Sequence, residues 1–173
     1  MKLIAGLGNP GSKYRHNRHN AGFLLLDRIM GKMGVPLEFE NKFKSQIAVS
    51  KRFIFTKPTT YMNSSGLAIS EIVNFYKINF ANVWIAHDDL DIKLGEYKTQ
   101  KGRGPKDHKG IGSIEKLAGS GDYWRIRIGA DNRSEDNRIP GEEYVLQDFS
   151  DEEFITLNKT LDEISNNIVG LIN

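Results

Sequence analysis

The amino-acid sequence predicts an α/β fold: a single domain over residues 1–173, built as a twisted mixed sheet flanked by helices. Two observations carry the class. Short apolar runs of strand length recur along the chain, and between them lie segments whose apolar residues repeat at helical spacing. A third sets the domain count, since 173 residues suit one core, domains being most often about 100 to 150 residues long. No internal repeat, linker or low-complexity tract divides the chain.

Lys2 to Gly8 reads as the first strand, because Leu3, Ile4, Ala5 and Leu7 form the near-continuous apolar run of a strand buried on both faces. A long polar turn follows. From Asn20 to Met33 the positions Leu26, Ile29, Met30 and Met33 share one helical face, and Gly34 and Pro36 stop the helix. Ser45 to Val49 and Arg52 to Thr56 form a hairpin around Ser50 and Lys51, whose second arm enters the loop KPTTYMNSSG. Ser64 or Ser65 then caps a helix carrying Ile69, Ile72, Val73 and Tyr76 on one face. Asn82 to Ala86 is a buried strand leading into HDDLD, and Gly95 to Gln100 alternates as an edge strand. The segment KGRGPKDHKGIG is too rich in glycine and polar residues for regular structure. Ile114 and Leu117 mark a short helix, DYWRIRIGA a strand, and Phe154, Leu157, Leu161, Ile164 and Ile168 a last amphipathic helix.

The net charge is only +2, but it is unevenly placed. Lys93 to Lys109 holds six Lys or Arg against two acids, whereas from Glu142 onward eight acids face Lys159 alone. A polyanion reads clustered rather than total charge, so the basic segment is a candidate phosphate contact. A solvated lysine-rich loop is the plainer alternative. No apolar stretch approaches the roughly 20 residues a bilayer span needs. MKLIAGLG lacks the three-part pattern of a secretory signal, and the expectation is a cytoplasmic protein without membrane contact. With no cysteine, disulfides and thiolate metal sites are excluded.

Gly6, Gly8 and Gly11 spell G-x-G-x-x-G after the first strand, the spacing of a dinucleotide-binding loop. Such a loop needs a helix that begins inside it, with free N–H groups toward the pyrophosphate. Pro10 has no N–H and disfavours a helical Asn9, and the helical pattern starts only near Asn20. The glycines are therefore expected to serve a sharp turn rather than a cofactor. That turn presents Asn9, Tyr14, His19 and Asn20 beyond the carboxyl end of a strand, where open α/β sheets bind ligands. If the neighbouring strands run parallel, Asn9, His19, Asn63 and Asp88 converge on one crevice. A histidine beside a carboxylate, with neutral amides, suits activation of water and stabilisation of an oxyanion, hence ester or amide hydrolysis. Ser64 or Ser65 as nucleophile, and a metal held by His87, Asp88, Asp89 and Asp91, remain as alternatives. The second is disfavoured because adjacent acids on a strand point to opposite faces.

GLGNPGSKYRHNRHNAGF, KPTTYMNSSG, HDDLD, KGRGPKDHKGIGSI and WRIRIG resemble, in order and at similar spacing, the motifs of the bacterial-type peptidyl-tRNA hydrolases, over nearly the whole chain. The resemblance implies a peptidyl-tRNA hydrolase-like α/β monomer, with no metal and no cofactor. Its activity would be cleavage of the ester between a peptide and the 3′ ribose of tRNA. It implies His19 as general base on water, Asp88 as its orienting partner, and Asn9 beside the scissile ester. Tyr14, Tyr61 and Asn63 match positions that hold the 3′ end. Lys98, Arg125 and Arg127 match positions near the phosphates of the acceptor stem, with Lys101, Arg103 and Lys106 adding to a basic rim. Where the family reads Gly-His-Asn-Gly, this chain has Asp107-His108-Lys109-Gly110, so Lys109 takes the place of a substrate-binding asparagine. That departure keeps open a second reading, a catalytically impaired RNA-binding relative. The acidic C-terminal helix is expected to bear on closure of the cleft.

Overall fold

Strands with apolar residues at every position must be covered on both sides, and that requirement organises the whole chain. The computed structural model describes residues 1–172 apart from 106, 120, 135, 137 and 138. Its strands are β1 (Lys2–Gly6), β2 (Glu38–Glu40), β3 (Ser45–Val49), β4 (Phe53–Pro58), β5 (Val83–Lys93), β6 (Tyr97–Lys101) and β7 (Trp124–Asp131). Its helices are α1 (Ala21–Met33), α2 (Ser65–Tyr76), α3 (Lys109–Ala118), α4 (Gly141–Tyr144) and α5 (Asp151–Ile172). The seven strands form one mixed sheet in the order β2-β3-β4-β1-β5-β7-β6. β4, β1, β5 and β7 run parallel, and antiparallel strands β3 with β2 and β6 complete the two sides.

Two apolar layers enclose the sheet. Ile4, Ala86, Ile126 and Ile128 pack with α1 and α5, while Leu3, Ala5, Val83 and Ile85 pack with α2 and α3. Successive residues of one strand thus feed opposite layers, as the period of two demands.

Several expectations are corrected. HDDLD is not a loop after a strand: β5 continues through it to Lys93, because β7 pairs with it as far as Lys93. α3 begins inside the glycine-rich segment, at Lys109, where the His108 side chain accepts from the N–H groups of Gly110 and Ile111. An imidazole can cap as a serine does, a signal that glycine content hides. Neither Ser64 nor Ser65 caps α2; the Gly66 N–H donates instead to Ser113 Oγ across from α3, at 3.0 Å.

The opening glycines answer mainly to packing. A Cβ on Gly6 would lie 2.3 Å from the carbonyl oxygen of Gly22, and one on Gly22 would lie 2.2 Å from that of Ala86. α1 therefore rests directly on the backbones of β1 and β5. Within G-x-G-x-x-G only Gly11 has a positive φ, 106°, and so serves the turn. α5 lies on α1 rather than over the cleft: Arg28 donates to Asp162 and Asn158, and Lys32 to Ser165 and Asn166. Asp162 is the acid of the C-terminal segment that meets Arg28 and Lys32 of α1.

Candidate active site

Parallel pairing of β4, β1 and β5 brings their carboxyl ends to one edge, and the residues beyond those ends meet there. Asn9 follows β1, Tyr61 and Asn63 follow β4, and Asp88 lies within β5. His19 comes from a single 3-10 turn, Arg18–Asn20, that feeds α1. That turn is held from the far side of the chain: the N–H groups of Arg18 and His19 donate to the carbonyls of Gln147 and Val145 at 3.0 and 2.8 Å. The Arg18 guanidinium lies over the rings of Tyr144 and Phe149, and its Nη2 donates to Glu153 at 2.7 Å.

The centre is Asp88, 1% exposed. Its Oδ1 accepts from His19 Nδ1 at 2.8 Å and from His108 Nε2 at 2.9 Å. Hydrogen-bond bookkeeping fixes both rings. His108 Nδ1 accepts two backbone N–H groups, so its proton sits on Nε2 and points at Asp88. A carboxylate can only accept, so His19 donates from Nδ1, and the neutral form of the ring held this way has its lone pair on Nε2. Burial by itself would raise the Asp88 carboxyl, but the two imidazoles outweigh it and hold the group below the ordinary carboxylate range. Asp88 is ionised at neutral pH, with both acceptor bonds on one oxygen.

Asn9 is fixed just as firmly. Its Oδ1 accepts the Met62 N–H at 2.9 Å, and its backbone N–H and C=O pair with the Asn20 amide at 2.9 and 3.0 Å. With Oδ1 engaged, Nδ2 remains as a donor for the cleft. The cleft encloses about 1170 Å³ and is lined by Asn9, Tyr14, His19, Tyr61, Asn63, Asp88, His108 and Lys109, among others. Tyr61, 60% exposed, offers an open ring at the mouth. Lys109 reaches across the mouth, with its Nζ 3.2 Å from Glu142 Oε2.

The remaining expected residues lie apart from this cluster. Lys98 is exposed on β6, opposite Arg127 of β7. Arg127 is 9% exposed and donates to Asp89 Oδ2 at 2.7 Å and to Gln100. Arg125 is 1% exposed and paired with Glu115. Both arginines are thus spent in internal ion pairs rather than displayed on an open phosphate-binding face. Lys101 pairs with Asp122, Arg103 is exposed, and Lys106 lies outside the described residues. The residue that motif reading passed over is His108. Its partner is 20 positions away, so no local spacing reveals it.

Among the described residues, His19, Asp88 and His108 are the group whose ligand atoms stand close enough to share a metal ion, within 4.8 Å. Both ring nitrogens of His108 are engaged, by Asp88 and by the α3 cap, and His19 Nδ1 and Asp88 Oδ1 bond to each other. The other acids once open as ligands are divided: Asp89 faces Arg127, away from Asp88.

Residues 3–173 match the family model described as peptidyl-tRNA hydrolase. A Bdellovibrio bacteriovorus protein named peptidyl-tRNA hydrolase is 41% identical over 176 residues, covering 99% of this chain and 93% of that one. A Mycoplasmopsis agalactiae protein of the same name is 40% identical over 172 residues, covering 99% and 89%. The crystal structure of peptidyl-tRNA hydrolase from Acinetobacter baumannii superposes with a TM-score of 0.88 at 30% identity, over 99% of this chain and 88% of that one. The chain belongs to the peptidyl-tRNA hydrolase family.

Proposed function

We propose that this chain hydrolyses the ester of peptidyl-tRNA in the cleft around Asp88, with His19 as general base. The observation that carries the reading is the His19 Nδ1 to Asp88 contact, which leaves Nε2 free to take a proton from water. The hydroxide adds to the ester carbonyl, and the Asn9 Nδ2 donates to the oxygen on which charge develops. Asp88 stabilises the imidazolium so formed. Collapse of the tetrahedral intermediate breaks the bond to the 3′ ribose oxygen, which takes the proton back from His19. The products are a peptide carboxylate and tRNA.

Tyr14, Tyr61 and Asn63 suit the 3′ end, since unpaired bases stack on aromatic rings and amides read base edges. Lys98 and the other exposed cations around β6 suit the acceptor stem. The base, its carboxylate partner and the amide donor are complete within one cleft, so the reaction as proposed needs no second subunit. No helix among the described residues is long and apolar enough to cross a membrane; the site of translation, the cytoplasm, is where this substrate arises. The contact of His19 with Asp88, with Asn9 lining the same cleft, supports this reading, and nothing observed favours a catalytically impaired relative.

The test is His19→Ala assayed on peptidyl-tRNA. Turnover is expected to fall by about 10²- to 10⁴-fold while tRNA affinity is retained. A variant with unchanged kcat refutes the role given to His19.

A further inference from the structure

One ion pair crosses the mouth of the cleft. Lys109, the first residue of α3, and Glu142 of α4 reach each other at 3.2 Å, with side chains 64% and 71% exposed. They stand 33 positions apart on two different elements that line the cleft. The other cation among its described lining residues is Arg133, which is committed to Asp131 at 2.7 Å and to the Ile139 carbonyl at 2.9 Å. Asp107 adds an exposed carboxylate to the lining. With Glu142 neutralising Lys109, an entering phosphodiester meets no uncommitted cation among the described lining residues.

We propose that Lys109 contacts a phosphate of the substrate's 3′-terminal nucleotides, and that Glu142 is its internal competitor, an ion-pair latch which the substrate opens by exchange. This rests on the reading that the cleft holds the 3′ end of the tRNA. Lysine has three donors and no acceptor, on a flexible stem, so it exchanges one anion for another without rebuilding its surroundings. An exposed pair of this kind favours the closed form by no more than about fivefold, weak enough for substrate to break. A neutral ester carbonyl competes poorly with Glu142, whereas a phosphate offers equal or greater charge. The latch therefore makes the cleft select for an ester carried on a phosphate-bearing nucleotide over the same ester on a bare nucleoside.

The experiment is steady-state kinetics on peptidyl-tRNA across a salt series, for the unaltered chain, Lys109→Asn, Glu142→Gln and the double variant. Lys109→Asn is expected to raise KM with kcat nearly unchanged, and to flatten the plot of log(kcat/KM) against log[salt] by about 0.7 to 0.9. Glu142→Gln is expected to raise kcat/KM at low salt by up to about fivefold. The double variant should match Lys109→Asn, because no cation is left to release. The proposal is overturned if Lys109→Asn keeps the full salt slope, or if its effect is confined to kcat. It is equally overturned if Glu142→Gln brings no gain, or brings the same gain when combined with Lys109→Asn. Failure of the underlying reading shows separately, as no hydrolysis of peptidyl-tRNA by the unaltered chain.

Discussion

His87 makes the stability of this fold depend on pH in a direction opposite to that of a salt-bridged histidine. Its ring is wholly buried, its Nδ1 donates to the Asp88 backbone carbonyl at 2.7 Å, and its Nε2 has no hydrogen-bond partner. Protonating Nε2 would create a buried N–H with no acceptor. Burial first, and the neighbouring His108 second, lower the pKa from 6.5 to about 3. In the unfolded chain the ring titrates at its ordinary value. Between 6.5 and about 3, then, the unfolded state binds a proton that the folded state refuses. Stability is lost as pH falls through that window and regained as pH rises through it. The slope is about 1.4 kcal/mol per pH unit, so acidification from about pH 6 to about pH 4.5 costs roughly 2 kcal/mol from this residue alone. His87→Leu removes the titrating group while keeping an apolar side chain in the site. Urea unfolding at a series of pH values, with m held as a check on two-state behaviour, gives both curves. The unaltered chain should lose about 2 kcal/mol more than the variant over that interval. If the two curves run parallel, the buried neutral ring is not the source of the acid sensitivity.

Asp88→Asn removes the charge that stabilises the His19 imidazolium, and kcat on peptidyl-tRNA should fall by about 10²- to 10⁴-fold with a smaller change in KM. Gly22→Ala places a methyl 2.2 Å from the Ala86 carbonyl oxygen and 2.5 Å from the Leu7 nitrogen. The backbone there cannot give way, so a stability loss of about 3 kcal/mol or more is expected by urea unfolding. Arg18→Ala leaves the Glu153 carboxylate, only 12% exposed, without its cation and with only the Ser150 and Asn132 N–H donors. It should cost about 3 to 5 kcal/mol, partly recovered when Glu153→Ala is added.

The sequence speaks clearly wherever one residue's neighbours decide its fate. The apolar run of β1, the helical face of α1 and the last amphipathic helix are all read from short windows, and they stand where expected. The class of reaction was also legible, since a histidine, an aspartate and amides in one crevice suit hydrolysis, the activity named for the family. Reading fails where a side chain's duty is set at long range. Arg125 and Arg127 look like phosphate ligands in WRIRIG, yet their partners Glu115, Asp89 and Gln100 are supplied by α3, β5 and β6. His108 is half helix cap and half donor to Asp88, and its two duties point to different parts of the chain. Glycine content concealed the start of α3 because the cap is an imidazole. Lys109 could be placed in either direction until the position of Glu142 was known.

The regular pairing of β5 up to Asp89, ahead of a register shift before Lys93, has a consequence for how this protein can change. Asp88 and Asp89 are neighbours with opposite destinations, one serving two histidines and the other neutralising a buried arginine. Their assignment is a matter of parity. A one-residue slip would hand Asp89 to His19 and turn Asp88 toward Arg127, so that two identical side chains would each arrive from the wrong backbone position. β1 on one side and β7 on the other lock the count, pairing Ala86 with Gly6 and with Ile126. A single residue gained or lost in β5 between Trp84 and Asp88 would therefore invert the site.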